Sequence, residues 1–332
     1  MELYPLIFNP ILKDKIWGGH QLERHFNKSP NGLENIGESW ELSGVEGDVS
    51  EVSNGFLAGN SLEEIIEVYM AELLGENIYE KYGGEFPLLF KLIDASDDLS
   101  VQVHPNDELA KERHNAYGKT EMWYILEAKD DAELVVGFNQ EMNRTTYLNA
   151  LNDGRITDVI QRVKVKKGDV VYIPSGRVHA IGKGIVLAEI QQTSDITYRI
   201  YDWNRIDNNG NRRELHTDLA LDAIDFSPIE NVLSDYNKQL NESTNLIDSE
   251  YFTTNLLSLS KTIETDYSLL DSFVVYMCID GQVQILMNNL DPVIIHKGQT
   301  VLIPAIAETV RLTPQNTTEI IEVYIKPDKI GN

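Results

Sequence analysis

Gly168-Asp169-Val170-Val171-Tyr172-Ile173-Pro174-Ser175-Gly176-Arg177-Val178-His179 reads as a turn, a strand, a second turn and a histidine. Lys167-Gly168-Asp169 punctuates the chain before the strand, and Pro174-Ser175-Gly176 punctuates it after. Val170 to Ile173 is β-branched and aromatic, the composition that suits a half-buried pleated surface. His179 therefore follows a turn at the end of a strand. The same spacing recurs in Gly298-Gln299-Thr300-Val301-Leu302-Ile303-Pro304. A repeat of this kind marks duplicated folding units. The second copy continues Ala305-Ile306-Ala307-Glu308 without a histidine, so only the first copy is expected to keep a chemical site.

Outward from this stretch, strand signals dominate. They fall at Phe90 to Ile93, Met122 to Leu126, Val163 to Val165, Ile185 to Gln191 and Thr197 to Tyr201. Leu99 to His104 alternates, with Ser100, Gln102 and His104 facing one way and Leu99, Val101 and Val103 the other. Many short strands at close spacing predict a mainly β sandwich or barrel. Helices are few. Ser61 and Glu64 form a capping box before Ile65, Ile66, Val68, Tyr69, Leu73 and Leu74. Asn106 to Ala116, Thr145 to Leu151 and Thr157 to Gln161 are further helical patches. Asn208-Asn209-Gly210-Asn211 is a turn, and residues 235 to 250 read as a polar connection before strand signals resume at Tyr251. These signals predict two units, 1–235 with small helical insertions and 236–332.

The chain has 332 residues, enough for about two domains. Twenty-eight Lys and Arg against 53 Asp and Glu give a formal charge of −25. That balance argues against a nucleic-acid face, which needs a basic stripe, and against anionic membrane surfaces. The one cysteine, Cys278, lies in an apolar run and reads as core; it rules out a disulfide framework and a cysteine zinc site. No basic-then-apolar leader and no apolar run near the ~20 residues of a membrane span is visible, so a cytoplasmic protein is expected.

Four residues could hold a metal. Gln102 and His104 share a strand face, Lys119 and Glu121 share one if their segment is extended, and His179 follows its turn. Two imidazoles, a carboxylate and an amide oxygen suit zinc or a similar first-row divalent metal. Their separations of 2, 17 and 58 residues are those of ligands gathered from different strands rather than from one helix. Each histidine taken alone reads equally as a satisfied core or surface residue. Glu189 sits in the apolar run Ile185 to Gln191, and Arg199 alternates with Tyr198 and Ile200. An interior ion pair between Glu189 and Arg199 is the plain alternative to a catalytic role, as a surface charge is for Lys119. Trp17, Tyr172 and Trp203 are aromatic candidates for lining a pocket.

The pattern Gly168 to His179 resembles the second motif of cupins, and Gln102-Val103-His104 resembles their first. Two departures stand out: Glu121 comes 17 residues after His104 rather than a few, and His179 lacks the usual following Asn. Those departures are similar to the type I mannose-6-phosphate isomerases. The likeness runs through Leu12 to Gly19, Ile36-Gly37-Glu38-Ser39-Trp40-Glu41, Phe86 to Leu92, Leu99 to Pro105, Gly118 to Tyr124, Gly176 to Ala180 and Arg199 to Arg205, the last resembling the short bacterial branch.

The resemblance implies two cupin-type double-stranded β-helix barrels, the second metal-free and structural. It implies one Zn2+ per chain on Gln102, His104, Glu121 and His179. It assigns charged active-site positions to Lys119, Glu189 and Arg199, and substrate positions to Ser100, Lys91 and Asp195. The implied reaction interconverts mannose 6-phosphate and fructose 6-phosphate through an enediol, with Glu189, Lys119 or a water on the metal as base. A local cluster of Lys91, Lys119, Arg199 and the metal can outweigh the −25 charge for a sugar phosphate, since screening reaches only ~8 Å. A monomer or weak dimer is expected. Two rivals share the fold: a metal-dependent dioxygenase and a non-catalytic sugar-phosphate-binding cupin.

Overall fold

The computed structural model describes residues 2–206 and 210–329, so the turn expected at Asn208–Asn211 lies partly outside the described residues. Among the described residues, two pairs of antiparallel sheets form the frame, with a two-stranded ribbon of Gly44–Val45 and Asp48–Val49 beside them. The first pair faces a six-stranded sheet, in the spatial order Val170–Ile173, Glu121–Ala128, Ile185–Gln192, Leu88–Ala95, Ile36–Leu42 and Ile11–Gly19, with a five-stranded one. The latter runs Ile160–Lys164, Glu133–Phe138, His179–Ile181, Val101–Val103 and Tyr198–Tyr201.

The side-chain period of two distributes each strand between two cores. Trp123, Ile125 and Leu187 enter the cluster between the sheets, where they meet Trp17, Leu134, Val136 and Val171. Met122, Tyr124, Leu126, Val186, Ala188 and Ile190 point the other way. The five-stranded sheet turns Val101, Val103, Ala180 and Ile200 outward, under Tyr147 and Ala150 of helix Arg144–Asn152 and Ala220 and Leu221 of helix Thr217–Ala223.

The second pair sets Leu6–Ile7, Thr300–Ile303, Val274–Asp280, Thr318–Tyr324, Thr253–Leu259 and Ser243–Asp248 beside a four-stranded sheet of Ile263–Asp266, Thr309–Pro314, Gln282–Met287 and Val293–His296. The two six-stranded sheets share one core, in which Phe90, Leu92, Met122 and Ile190 join Leu256, Val275, Met277 and Ile321. The chain also crosses over at its start: Leu6 pairs with Leu302 and Ile7 with Val301.

The glycine repeat is structural. Gly168 and Gly298 take φ of 90° and 87°, a conformation that favours glycine. Gly168 donates to the carbonyl of Ile125 and Gly298 to that of Cys278, while the N–H groups of Ile125 and Cys278 donate to the carbonyls of Asp169 and Gln299. Each strand that follows then pairs with the strand carrying that partner.

The predicted helices form with the caps their sequences carry. Ser61 and Glu64 close a capping box on Leu62–Tyr69, Asn106 caps Asp107–His114, and Asn143 caps Arg144–Asn152. Several expectations are corrected. Val68 is exposed, and Leu73 and Leu74 belong to a separate turn, Ala71–Leu74, because Met70 breaks the helix with a φ of 47°. The patch at Thr157 to Gln161 is a single helical turn, Ile156–Val159; Ile160–Lys164 is a strand, drawn into the sheet by pairing such as Val163 with Leu134. The polar connection contains strand Ser243–Asp248, where buried Thr244 and Leu246 alternate with exposed Ser243 and Asn245. Leu99 precedes its strand, so strand alternation does not reach it, and it packs in the inter-sheet core rather than beside Val101 and Val103. Cys278 is buried, and burial pushes its thiol up to about 12. Among the described residues no helix is long and apolar enough to cross a membrane.

Candidate active site

His104, Glu121 and His179 come together in the first unit, all buried, with ligand atoms within 4.8 Å of one another. Glu121 opens its strand in the six-stranded sheet. His179 opens a strand in the facing sheet, directly opposite Gln102, which is itself opposite Arg199. His104 follows the strand of Gln102 by one residue. The His104 Nε2 lies 3.6 Å and the His179 Nε2 3.3 Å from the Glu121 carboxylate.

The donor set fits a metal. The Nδ1 of each imidazole is 2.8 Å from a backbone carbonyl, Ile196 for His104 and Arg177 for His179. That contact fixes Nδ1 as the donor and leaves each Nε2 unprotonated, its lone pair facing Lys119 or Gln102, the outer-shell support ligating histidines use. Burial and the neighbouring Lys119 and His179 hold the His104 imidazole well below its usual range, and burial holds His179 down to about 4, so both are neutral ligands. Both oxygens of Glu121 are buried without a hydrogen-bond donor. Burial and then the Glu189 charge push that carboxyl up to about 7. Lys119 Nζ pairs with Oε2 at 3.3 Å, and the remaining lone pairs of this buried carboxylate are costly unless a further cation takes them. The Gln102 amide lies 3.2 Å from His179 Nε2, and half a turn about its last bond presents Oε1 to the same space.

A cavity of about 320 Å³ adjoins this cluster and is lined by Gln102 and Lys119 at that end. Trp17, Lys91, Ser100, Glu189, Asp195 and Arg199 line it as well, so every proposed non-ligand position faces one space. Lys119 Nζ is 3.3 Å from both Glu121 and His104 Nε2. Glu189 is buried, 3.1 Å from Lys91 Nζ, and accepts a 2.8 Å bond from Trp123 Nε1. Burial raises its pKa, but Lys91, Lys119 and these hydrogen bonds outweigh burial and hold the carboxyl below the usual range.

The alternative pairing of Glu189 with Arg199 does not occur: Glu189 is satisfied by its sheet neighbour Lys91, and Arg199 Nη1 donates to the carbonyl of Glu214 at 2.8 Å. Two aromatic candidates are also corrected. Tyr172 alternates away from Val171 and Ile173 and packs on the core between the six-stranded sheets. Trp203 packs on the helix-covered face and donates to the Leu99 carbonyl.

Sequence reasoning missed Lys15, Glu38, Trp40 and Arg213, which also line the cavity. Glu38 and Trp40 stand two apart in strand Ile36–Leu42, a same-face signal that could have found them. Arg213 has no periodic signal. A roomier cavity of about 410 Å³ lies elsewhere, beside Glu108, Glu112, Asp222 and Asp225. It holds no ligand cluster, and its acidity opposes an anionic substrate.

The second unit differs at the matching positions. Val274, opposite Ile303, stands where Glu121 stands opposite Ile173. Glu322, opposite Tyr276 and Asn255, stands where Glu189 stands opposite Trp123 and Lys91.

A family profile described as the phosphomannose isomerase type I catalytic domain matches residues 6–142. The mannose-6-phosphate isomerase ManA of Bacillus subtilis is 40% identical over 263 residues, 78% of this chain and 81% of that one. This chain belongs to the type I phosphomannose isomerases. A mannose-6-phosphate isomerase of Streptococcus mutans is 34% identical over 90% of this chain and 92% of its own. The crystal structure of the mannose 6-phosphate isomerase from B. subtilis superposes with a TM-score of 0.87 at 32% identity, covering 97% of this chain and 99% of that one. The phosphomannose isomerase family thus extends over both units.

Proposed function

We propose that this enzyme interconverts mannose 6-phosphate and fructose 6-phosphate through an enediol, with Gln102, His104, Glu121 and His179 holding one zinc ion. The observation that carries the reading is the buried His104–Glu121–His179 cluster opening into a cation-lined cavity. When bound, zinc supplies Lewis-acid polarisation of the sugar oxygens.

The chain's own residues do the rest. Glu189, kept ionised by Lys91 and held in place by Trp123, is the group that takes the C2 proton and returns one to C1. Lys119, between Glu121 and His104, faces the negative charge that develops on the C1 and C2 oxygens. Ser100 and Asp195 are suited to the sugar hydroxyls, Trp17 closes one wall, and Arg199 is placed for the anionic end. Residues 1–235 carry this chemistry, and 236–332 act as structural support in a cytoplasmic enzyme that is a monomer or weak dimer. The cation-lined cavity favours a sugar phosphate over dioxygen chemistry.

A coupled assay of mannose 6-phosphate to fructose 6-phosphate tests this reading on protein as purified, after chelation and after zinc return. Turnover is expected to vanish on chelation and to return with zinc. Folded, zinc-loaded protein without turnover would overturn it.

A further inference from the structure

We propose that Arg213 and Arg199 together form the phosphate anchor of the cavity, with Asp202 as the positioning residue for Arg213. The inference rests on the isomerase reading above and names the residues that hold the substrate's anionic end.

Both guanidiniums line the cavity. Arg213 is clamped through Nε, at 2.7 Å, and Nη2 onto the two oxygens of Asp202, which is itself buried. The fork is thus fixed, and Nη1 has no partner among the described residues. Arg199 spends one Nη on the neutral carbonyl of Glu214, and its Nε is buried with no acceptor. The carboxylates at this end are Asp202, which is shared between Arg213 and Arg205, Glu214 near Arg199, and Asp195 on the cavity wall. Burial and then the charge of Arg213 lower the pKa of Arg199, so the two cations feel each other. Like charges held together with an orphaned N–H are unfavourable alone and become favourable once a dianion sits between them.

The other cations lining the cavity are already engaged: Lys119 by Glu121 and His104, Lys91 by Glu189, and Lys15 by Glu38. Register gives the spacing. Arg199 is one strand from Gln102 and two from His179, about 5 and 10 Å at the usual strand separation. That separation suits an extended six-carbon chain with its carbonyl at the histidine cluster and its phosphate at the arginines.

The test is a KM and kcat comparison of wild type with Arg213→Met, Arg213→Lys and Asp202→Asn, together with calorimetric binding of inorganic phosphate. Losing a charge-assisted fork should raise KM and the phosphate Kd together by about tenfold or more in Arg213→Met, with kcat changed far less. Arg213→Lys should recover part of the loss, because the charge stays and the fork goes. Asp202→Asn should shift both constants in the same direction by less. Unchanged KM and phosphate Kd in Arg213→Met, or a fall in kcat alone, would overturn the proposal. Should that variant not fold, unchanged constants in Arg213→Lys and Asp202→Asn would overturn it equally. Wild type without turnover refutes the isomerase reading instead, and phosphate calorimetry still decides the anchor.

Discussion

At the scale of single residues, protonation governs metal affinity. The carboxyl of Glu121 sits near 7 in the metal-free protein, whereas His179 stays neutral down to about 4 and His104 also titrates well below its usual range. Above pH 7 the ligands are all in their binding forms. Below it, a metal must displace the Glu121 proton, so apparent affinity should fall about tenfold per pH unit from 7 towards 4. Competition titration against a chelator across that range checks the slope, and a pH-independent affinity would contradict it. The Lys91–Glu189 pair gives a second prediction. Removing one partner of a buried pair strands the other, so Lys91→Met should cost about 3–5 kcal/mol in denaturant unfolding, and a loss under 1 kcal/mol would contradict the pairing. The candidate ligands were legible because Gln102 and His104 share a strand face, Glu121 shares one with Lys119 and His179 follows a turn, and the family resemblance then singled out the four. Lys91 and Glu189 were legible as site residues but not as partners, since register between strands is not written in either strand alone. Arg213 was illegible because its position depends on Asp202, eleven residues away, and neither residue lies in a helix or strand.

At the scale of elements, the two glycine turns should respond unequally. A Cβ at Gly298 would meet the Phe26 carbonyl oxygen at 2.7 Å, while at Gly168 the nearest atom is the Tyr236 hydroxyl at 3.4 Å. Both residues have positive φ, so alanine should destabilise both by at least about 1 kcal/mol, with Gly298→Ala the worse. Thermal denaturation of the two variants checks the order, and equal or reversed losses would contradict it. Most strands were legible from β-branched runs bounded by turns, one helix from its capping box at Ser61 and Glu64, and two more as helical patches. The helices Gln21–Phe26, Glu76–Tyr82 and Thr217–Ala223 were not. None is capped by its own N-cap residue, which is His20, Gly75 or His216; Asp94 and Asp271 cap the first two from distant chain, which local sequence does not show.

At the scale of the whole molecule, the shared core between the six-stranded sheets makes the two units depend on each other. Leu6 is fully buried there while pairing with Leu302. Calorimetry should therefore show one unfolding transition, and Leu6→Ala should lower stability by about 2–5 kcal/mol. Two resolved transitions would contradict the coupling. The repeat made two related units legible, but not the initial strand crossing to the second, because Leu6–Ile7 is too short to show a pattern. The candidate metal cluster lies where both sheets of the first unit meet. Its most direct test is elemental analysis of zinc in wild type and Glu121→Ala after loading and exhaustive dialysis, with circular dichroism to establish folding. One zinc per wild-type chain and almost none in folded Glu121→Ala is the expected result. A full equivalent of zinc retained by that variant would contradict it.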